Sequence, residues 1–463
     1  MNKRFIIEIM LLLAVVSGLW SCYDDKGNYD YKNLISLQID TLGIKAEQTA
    51  YQFENFNVPV EVKYAGDEKN LSYEWKIYPQ DPKKDDDVQK YDSAVVLYTK
   101  AVFDTIIYEV PGAYYLTLTV TDNVQDLKEY FTMKLNVETL VSRGLCVMDE
   151  KNGLYDLNII KSAKLLTDIT ASEEQVYYHV YSGVNDTEVT NGKFLGRGTY
   201  SDNNVLYFFT ENGGLKLDVN TYEIMSNDFT SWFSFPMSVT AAPEAYVITS
   251  RPLEMIVTNG LVYVWDHRSM GVTTFGDRLD GDYKAAPYLP NISTSSFSSV
   301  IFDMKNKRFA PINQFGSNVG TFESTSTGEF DLNDIGSTKE LKFMENGFNS
   351  YTYAVFYDTE TSGYSLYVMD FSGATATPVK KYSMADCEGL TESSLYTFGN
   401  QGNVCFYASG SDLYQYKYAS TNKGAVVHSF SGETITGVEV FKNSGHVKDG
   451  KLLIVSTESG GEG

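Results

Sequence analysis

The stretch Pro111-Gly-Ala-Tyr-Tyr-Leu-Thr-Leu-Thr-Val-Thr-Asp122 alternates apolar residues with threonine over its second half. A period of two in a run rich in β-branched and aromatic residues is typical of a strand with one buried face. Pro111-Gly112 adds a turn signal directly before it. The stretch therefore predicts a long strand, and it sets an all-β expectation for the residues around it.

The neighbouring sequence repeats this pattern in shorter runs. Val58-Pro-Val-Glu-Val-Lys63 and Leu71-Ser-Tyr-Glu-Trp-Lys-Ile77 alternate in the same way. A two-sheet sandwich has about seven such strands in about 100 residues. We therefore predict a β-sandwich domain over residues 34–138.

From residue 141 onward the sequence indicates repeated hairpins. Apolar runs flank turns such as Lys151-Asn-Gly153 and Asn212-Gly-Gly214, and Asn-Gly between apolar strands is a strong hairpin signal. Several of the runs end in aspartate, at positions 156, 218, 266, 303, 358 and 370. Repeated sheets at a spacing of roughly 40–50 residues are typical of a β-propeller.

We predict a β-propeller of about seven blades over residues 141–463. Two stacked β-sandwiches or a β-helix are the alternatives. Leu452-Leu-Ile-Val-Ser456 predicts a last strand, and Glu458-Ser-Gly-Gly-Glu-Gly463 a turn with no strand after it. Either the last blade borrows a strand from near residues 144–160, or the native chain runs further.

The N-terminal residues have the order of a bacterial lipoprotein signal. Lys3 and Arg4 precede a short apolar run to Trp20, and small Ser21 precedes Cys22. A charged start, a short apolar segment and a small residue before the cut are the marks of a secretory signal. We predict a signal peptide over 1–21, lipid on Cys22 and a polar tether over 22–33. The alternative is a signal anchor with a chance cysteine.

Composition restricts the classes of partner. The formal net charge of -23 argues against binding to nucleic acid and against binding to anionic lipid through a basic surface. Tyrosine is frequent, with 35 Tyr beside 4 Trp. Tyr suits half-buried strands, where the ring packs and the hydroxyl stays wet, and it also suits carbohydrate or peptide contact surfaces. We favour the structural interpretation.

No catalytic motif stands out in the sequence. The four histidines are far apart and form no cluster with metal-ligand spacing, so we predict no metal and no cofactor. Asp277, Asp280 and Asp282 could in principle supply a glycosidase carboxylate pair, but solvated turn residues explain them better. Cys146 and Cys405 suit buried thiols, and a Cys387–Cys405 disulfide is possible in an oxidising compartment.

Aromatic loops are the best candidates for contact with a ligand or partner. Exposed aromatic rings stack on sugar faces, clamp peptides or anchor interfaces. The alternative is that these rings fill the gaps between blades. The candidate residues are Phe229, Trp232, Phe233 and Phe235 in one short segment, and Tyr283 and Tyr288 in another.

Two motifs carry a family resemblance. Tyr73-Glu-Trp75 and Pro111–Asp122 resemble the two signatures of PKD-type immunoglobulin-like domains, although the charged insertion after Tyr78 is long. Cys22-Tyr-Asp-Asp-Lys-Gly-Asn-Tyr-Asp-Tyr31, followed by such a module and a propeller-like remainder, resembles the PKD-like family lipoproteins of Bacteroides-type bacteria. In that group, acidic residues after the lipidated cysteine resemble a surface-export signal, and Asp24 and Asp25 match it.

The resemblance, and not composition or spacing, supplies the functional expectation. Such lipoproteins resemble auxiliary components of SusC/SusD-type outer-membrane importers. We therefore expect a non-catalytic, lipid-anchored protein on the surface of the outer membrane that helps to capture oligosaccharides or oligopeptides. A surface hydrolase with a propeller catalytic domain and an adhesion or envelope-structural module are the alternatives.

Overall fold

The computed structural model describes residues 35–80, 94–139, 143–200, 203–249, 253–292, 296–313, 316–323 and 328–460. Strands dominate these residues, so the all-β expectation is confirmed. The predicted signal peptide, Cys22, Asp24, Asp25 and the tether lie outside the described residues. Within the described part of the chain, no helix is both long and apolar enough to cross a bilayer.

The chain divides into two compact units. The first comprises the described residues of 1–48, 57–104 and 114–134, and the second those of 49–56, 105–113 and 135–463. Segments 49–56, 105–113 and 135–138, which fall within the predicted sandwich domain, therefore group with the second unit. The division is thus not a single point in the chain.

The first nine strands build a five-stranded sheet of order β2-β9-β8-β5-β6 and the two-stranded pairs β1-β4 and β3-β7. Their bounds are β1 (Leu37–Asp40), β2 (Glu47–Tyr51), β3 (Asn55–Val58), β4 (Glu61–Tyr64), β5 (Leu71–Pro79), β6 (Val95–Tyr98), β7 (Phe103–Ile106), β8 (Gly112–Asp122) and β9 (Leu127–Glu138).

Trp75 on β5 is the centre of the core of the first unit. Its side chain is fully buried, and its ring lies edge-on to Phe103 at 5.2 Å between centroids. The indole N–H donates to the carbonyl oxygen of Lys100 at 3.0 Å, so the polar atom of this large ring is satisfied. On β8, Leu116, Leu118 and Val120 are completely buried, as the alternation of this strand predicts.

Within the described residues of the second unit, seven small antiparallel sheets follow one another along the chain. Sheet 1 contains β10 (Leu145–Lys151), β11 (Leu154–Lys161), β12 (Gln175–Tyr177) and β13 (Val189–Thr190); sheet 2 contains β14 (Gly192–Tyr200), β15 (Asn203–Thr210), β16 (Gly213–Asp218) and β17 (Ile224–Ser226); sheet 3 contains β18 (Pro243–Ile248), β19 (Leu253–Thr258) and β20 (Leu261–Asp266).

The remaining four sheets are also built from antiparallel strands that are consecutive in the chain. Sheet 4 contains β21 (Phe297–Asp303) and β22 (Arg308–Asn313); sheet 5 contains β23 (Lys339–Asn346), β24 (Thr352–Asp358), β25 (Gly363–Asp370) and β26 (Thr377–Ser383); sheet 6 contains β27 (Leu395–Phe398), β28 (Cys405–Ser409), β29 (Asp412–Tyr416) and β30 (Gly424–Ser429); sheet 7 contains β31 (Thr434–Val440) and β32 (Leu453–Glu458).

Helical segments are short. They are one α-helix, α1 (Val180–Asn185), and the 3-10 turns Glu68–Asn70, Ala171–Glu173, Phe229–Trp232, Pro236–Ser238 and Phe348–Ser350, all among the described residues.

Buried side chains fill the space between each sheet and the next in chain order. One cluster joins sheets 1 and 2 through Ile159 and Phe208, and the next joins sheets 2 and 3 through Tyr207 and Ile256. Similar clusters join sheets 3 and 4, 4 and 5, 5 and 6, and 6 and 7. Leu145 and Ile160 of sheet 1 share a cavity of about 150 Å³ with Leu453 and Ile454 of sheet 7. The last sheet therefore adjoins the first.

The aspartates that end strands have a common local role. Asp218, Asp266 and Asp370 each accept a hydrogen bond from the backbone N–H two residues further on, at 2.8–2.9 Å. Asp303 and Asp358 do the same at 3.1 and 3.2 Å. This is the Asx turn, in which the side chain replaces a backbone acceptor. Asp156 does not end a strand as predicted: it lies inside β11 and accepts from the backbone N–H groups of Tyr181 and Ser182 in α1. At the other five positions the recurrence of aspartate reflects turn chemistry.

Candidate functional site

The aromatic segment 228–237 is folded by its own cap. Asp228 Oδ1 accepts hydrogen bonds from the backbone N–H groups of Thr230 at 3.1 Å and Ser231 at 3.4 Å, which starts the 3-10 turn Phe229–Trp232. A Cβ on Gly214 would lie 3.1 Å from Cη2 of Trp232, so the glycine leaves room for the indole. The local sequence thus directs this turn toward sheet 2.

Most of the predicted aromatic contact residues are buried. Phe229, Trp232 and Phe233 lie in the cluster between sheets 2 and 3, each at most 4% exposed, while Phe235 is 56% exposed. The sequence signal located an aromatic cluster but could not show which way each ring points. Of these four rings, Phe235 is the one presented to solvent.

Tyr283 and Tyr288 use their hydroxyls within the fold. Tyr283 is buried, and its Oη donates to the carbonyl oxygen of Leu279 at 3.1 Å and accepts the N–H of Val262 at 3.1 Å. Tyr288 donates to the carbonyl oxygen of Lys342 at 2.5 Å. Both side chains therefore connect parts of the second unit to each other.

A polar basin of about 500 Å³ opens beside the aromatic segment. We call it the Thr190–Asp228 basin. It is lined by Tyr181, Thr187, Glu188, Val189, Thr190, Thr210, Asn212, Gly213, Gly214, Leu215, Ile224, Asn227, Asp228, Phe229, Thr230 and Ala241. Its volume is in the range of small-molecule sites.

The basin lies where two sheets end together. β13 of sheet 1 supplies one wall, and the turn between β15 and β16 of sheet 2 supplies another. The N–H of Glu211 donates to the carbonyl oxygen of Asn191 at 2.9 Å, which ties these two walls to each other. Asn191 has a φ of 57°, a left-handed conformation that Asn tolerates better than most residues.

Several side chains of the basin have unused hydrogen-bonding capacity. Among the described residues, the side-chain polar groups of Thr187, Glu188, Thr190, Thr210, Asn212 and Asn227 bond to no other protein group. Asp228 uses Oδ1 for its cap, while Oδ2 accepts nothing from the described part of the chain. The basin can therefore offer hydroxyl, amide and carboxylate groups to a ligand. The sequence motifs did not reveal it, because its residues come from six separate elements and the loops between them.

A second group of polar side chains is buried between sheets 2 and 3. Glu254 on β19 is 3% exposed; its Oε2 accepts from Tyr207 Oη at 2.7 Å and its Oε1 lies 2.8 Å from Nε2 of His267. Burial raises the pKa of the Tyr207 hydroxyl, and the Glu254 charge raises it further. The network links β15 to β19 and is enclosed by aromatic rings, which favours a structural role.

The ammonium group of Lys216 lies next to this network, among three aromatic rings. Its Nζ lies 4.9 Å from the ring centroid of Trp232, 5.5 Å from that of Trp265 and 5.8 Å from that of Tyr207. Burial lowers the pKa of Lys216, and the Glu254 charge opposes that shift. The faces of three rings stabilise the ammonium in place of water. The Trp232 ring therefore already makes a cation–π contact with Lys216 of the same chain.

The cysteines and the acidic loop residues that the sequence singled out do not form a reactive site among the described residues. Cys387 and Cys405 are buried free thiols, whereas Cys146, predicted to be buried, is a half-buried one; burial raises the pKa of Cys146 and of Cys387 to about 12. Asp277, Asp280 and Asp282 are exposed, and Asp282 pairs with Lys305. Within the described residues, no group of three or more His, Cys, Asp or Glu side chains could hold a metal ion.

Comparison with known proteins supports the N-terminal resemblance. A family model described as "PKD-like family" matches residues 22–191. The match therefore covers the sequence of the predicted tether, the sandwich domain and sheet 1. No curated protein matches the chain.

Two of the solved structures that match the chain come from Bacteroides species. A quinonprotein alcohol dehydrogenase-like protein from Bacteroides thetaiotaomicron VPI-5482 is 14% identical, with 89% of this chain and 88% of that chain covered and a TM-score of 0.49. A DUF4784 family protein from Bacteroides caccae ATCC 43185 is 10% identical, with 86% and 97% covered and a TM-score of 0.33. Likeness at these levels does not extend to function.

Proposed function

We propose that the seven sheets of β10–β32 form a seven-bladed β-propeller, which follows a PKD-like, immunoglobulin-type sandwich in the chain. Seven sheets in chain order, a buried cluster between each sheet and the next, and the cavity that sheets 1 and 7 share support this architecture. Contacts between the first strands of neighbouring sheets, such as β14 with β18 and β27 with β31, are those of innermost blade strands.

The protein is a non-catalytic, lipid-anchored component of the outer-membrane surface that captures oligosaccharides or oligopeptides for a SusC/SusD-type importer. The observation that carries this proposal is the Thr190–Asp228 basin, with its unused hydroxyl, amide and carboxylate groups. The lipoprotein signal that ends at Cys22 supports the anchor, and the acidic pair Asp24-Asp25 supports export to the surface.

Co-purification from the host tests the importer role. The tagged protein is solubilised gently from the outer membrane, and the proteins that accompany it are identified. A SusC/SusD-type pair at near-equal amounts is the expected result. A Cys22→Ser variant, which lacks the lipid, controls for adhesion to detergent micelles and is expected in the soluble fraction. Recovery of the wild-type protein alone would overturn the importer role.

A surface hydrolase is the second candidate, because Glu188 and Asp228 line the same basin. Glycoside hydrolysis uses two carboxylates on either side of the scissile bond. New reducing ends from oligosaccharides incubated with purified protein, lost in a Glu188→Gln variant, would favour this candidate. If the oligosaccharides stay intact, the result supports capture and contradicts hydrolysis.

A further inference from the structure

We infer that the Thr190–Asp228 basin binds a neutral, hydroxyl-rich ligand, an oligosaccharide, in preference to an oligopeptide or an acidic glycan. This inference rests on the proposed capture function and names its ligand class. It is carried by the shape of the basin and by the side chains that line it.

The hydrogen-bonding groups of the basin are of mixed donor and acceptor character. Thr187, Thr190 and Thr210 each offer one hydroxyl donor and two acceptor sites, and Asn212 and Asn227 each offer an amide with two donors and an oxygen acceptor. A sugar hydroxyl is itself both donor and acceptor, so it can pair with every one of these groups. A ligand with closely spaced hydroxyls therefore satisfies the lining without leaving polar atoms unpaired.

The charge of the basin is negative. Glu188 and Asp228 are carboxylates, and no Lys, Arg or His is among the described lining residues. An anionic ligand would meet like charge here with no cation to offset it, on a protein whose net charge is already -23. Acidic glycans and acidic peptides are therefore disfavoured.

The floor of the basin is apolar. The apolar lining residues Val189, Leu215, Ile224 and Phe229 are buried or half-buried, whereas most of the polar ones are exposed, so the apolar side chains form its base. The C–H faces of a pyranose ring can rest on such a base while its hydroxyls reach the rim. A peptide backbone would need a matching row of N–H and C=O groups. The unused side-chain groups around this base are hydroxyls, amides and carboxylates from separate elements.

The walls of the basin are held in place before any ligand binds. Asp228 is held by its own cap, and the hydrogen bond from Glu211 to Asn191 fixes two walls relative to each other. A hydrogen-bonding group that is already positioned loses less conformational entropy when a ligand binds. Asp228 Oδ2 in particular is held at the rim without a partner among the described residues.

Isothermal titration calorimetry of the mature chain tests the inference, with Cys22→Ser so that the protein is obtained without lipid. The probes are maltohexaose, cellohexaose, xylohexaose and mannohexaose, with hexagalacturonate as the acidic glycan and tetraglycine and tetraalanine as peptides without charged side chains. At least one neutral hexasaccharide is expected to bind at least tenfold more tightly than hexagalacturonate or either peptide. Tighter binding of hexagalacturonate or of a peptide, or no binding of any neutral probe, would overturn the inference.

Variants locate the binding. An Asn212→Ala/Asn227→Ala double variant is expected to bind the neutral probe at least tenfold more weakly. The matched control Asn220→Ala, an exposed asparagine of the same sheet outside the basin, is expected to bind like the wild type. Thr187→Ala/Thr190→Ala gives a second test should the first variant misfold, as judged by circular dichroism. Undiminished binding in well-folded variants of both pairs would overturn the basin as the site.

The importer experiment separates the two proposals. Binding of a neutral oligosaccharide without a co-purifying importer would contradict the importer role and support the ligand class. A co-purifying importer with a protein that prefers peptides would support capture and overturn the ligand class.

Discussion

Glu254 shows how one buried carboxylate can hold two sheets together. Its two oxygens are used by Tyr207 and His267, on different elements, and all three side chains are buried. A Glu254→Ala change removes the acceptor of the buried Tyr207 hydroxyl and the carboxylate that faces the buried His267 ring. Leaving a buried hydrogen-bond donor without its acceptor costs about 1–3 kcal/mol. We expect a marked fall in the thermal midpoint of the second unit, measured by calorimetry.

The control for Glu254 is Glu223→Ala. Glu223 is exposed and its carboxylate has no partner among the described residues. Surface changes of this kind are usually within about 0.5 kcal/mol. Equal midpoints for the two variants would contradict the structural role of Glu254.

Asp122 makes the first unit sensitive to acid. Its Oδ2 accepts from Tyr64 Oη at 2.6 Å and from Gln125 Nε2 at 2.5 Å, and these bonds lower the pKa of Asp122 to about 2. Because the unfolded pKa is 3.8, the carboxylate stabilises the fold above about pH 4. That contribution is lost as the pH falls from about 4 to about 2.

The Asp122→Asn variant measures this contribution. The urea midpoint of the wild type is expected to exceed that of the variant at pH 6, and the gap is expected to shrink as the pH approaches 2. A gap that stays constant over this range would show that ionisation of Asp122 does not stabilise the fold.

The three thiols are expected to be inert in the folded protein. Thiolate is the reactive form, and burial raises the pKa of Cys146, Cys387 and Cys405 well above ordinary values. We predict no reaction with a thiol reagent in buffer and modification of all three in denaturant without reductant. If Cys387 and Cys405 instead stay unmodified in denaturant and react only after a reductant is added, the two residues form a disulfide.

At the scale of elements, glycines set how closely segments of the second unit approach. A Cβ on Gly183 of α1 would lie 2.1 Å from Cδ1 of Tyr108, a rigid ring in segment 105–113. Forcing an extra methyl into such a contact costs about 1–3 kcal/mol. We predict that Gly183→Ala lowers the urea midpoint of the second unit.

Gly402→Ala is the matched control, since no heavy atom lies within 4 Å of a Cβ there and the backbone is not in the left-handed region. We expect it to leave the midpoint almost unchanged. A tolerated Gly183→Ala would mean that α1 does not pack against Tyr108 in solution.

Element type and turn position could be predicted from the sequence because they depend on local rules. The Asn152-Gly153 turn is an example: both residues have positive φ, at 57° and 80°, and Lys151 pairs with Leu154 across them. The burial of Phe229, Trp232 and Phe233 could not be predicted, because it depends on glycines and rings of β15 and β16. The basin was missed for the same reason.

At the scale of the whole chain, packing joins segments that the sequence places apart. Phe53 lies 6.3 Å from Tyr177 and 6.3 Å from Tyr222, between ring centroids, within the second unit. Strand alternation near residue 53 gives no sign of partners more than a hundred positions away. The domain limit predicted at residue 138 was based on the local strand pattern. The division into compact units depends instead on such long-range contacts.

Closure of the second unit into a ring is testable by a double-mutant cycle. Ile160 of β11 and Ile454 of β32 line one cavity between sheets 1 and 7. Residues that share a cavity show coupling energies of about 0.5 kcal/mol or more, while distant residues add within about 0.3–0.5 kcal/mol. We predict that the unfolding free energies of Ile160→Ala and Ile454→Ala are non-additive in the double variant.

The comparison pair is Ile160→Ala with Ile335→Ala, since Ile335 lies in the cluster between sheets 4 and 5. We expect these two effects to add. A propeller needs contact between its first and last blades, because an open array would leave the apolar face of sheet 1, including Leu145, in water. Additive effects in both pairs would therefore contradict ring closure, whereas coupling in the first pair alone is the result that only adjacent end sheets can produce.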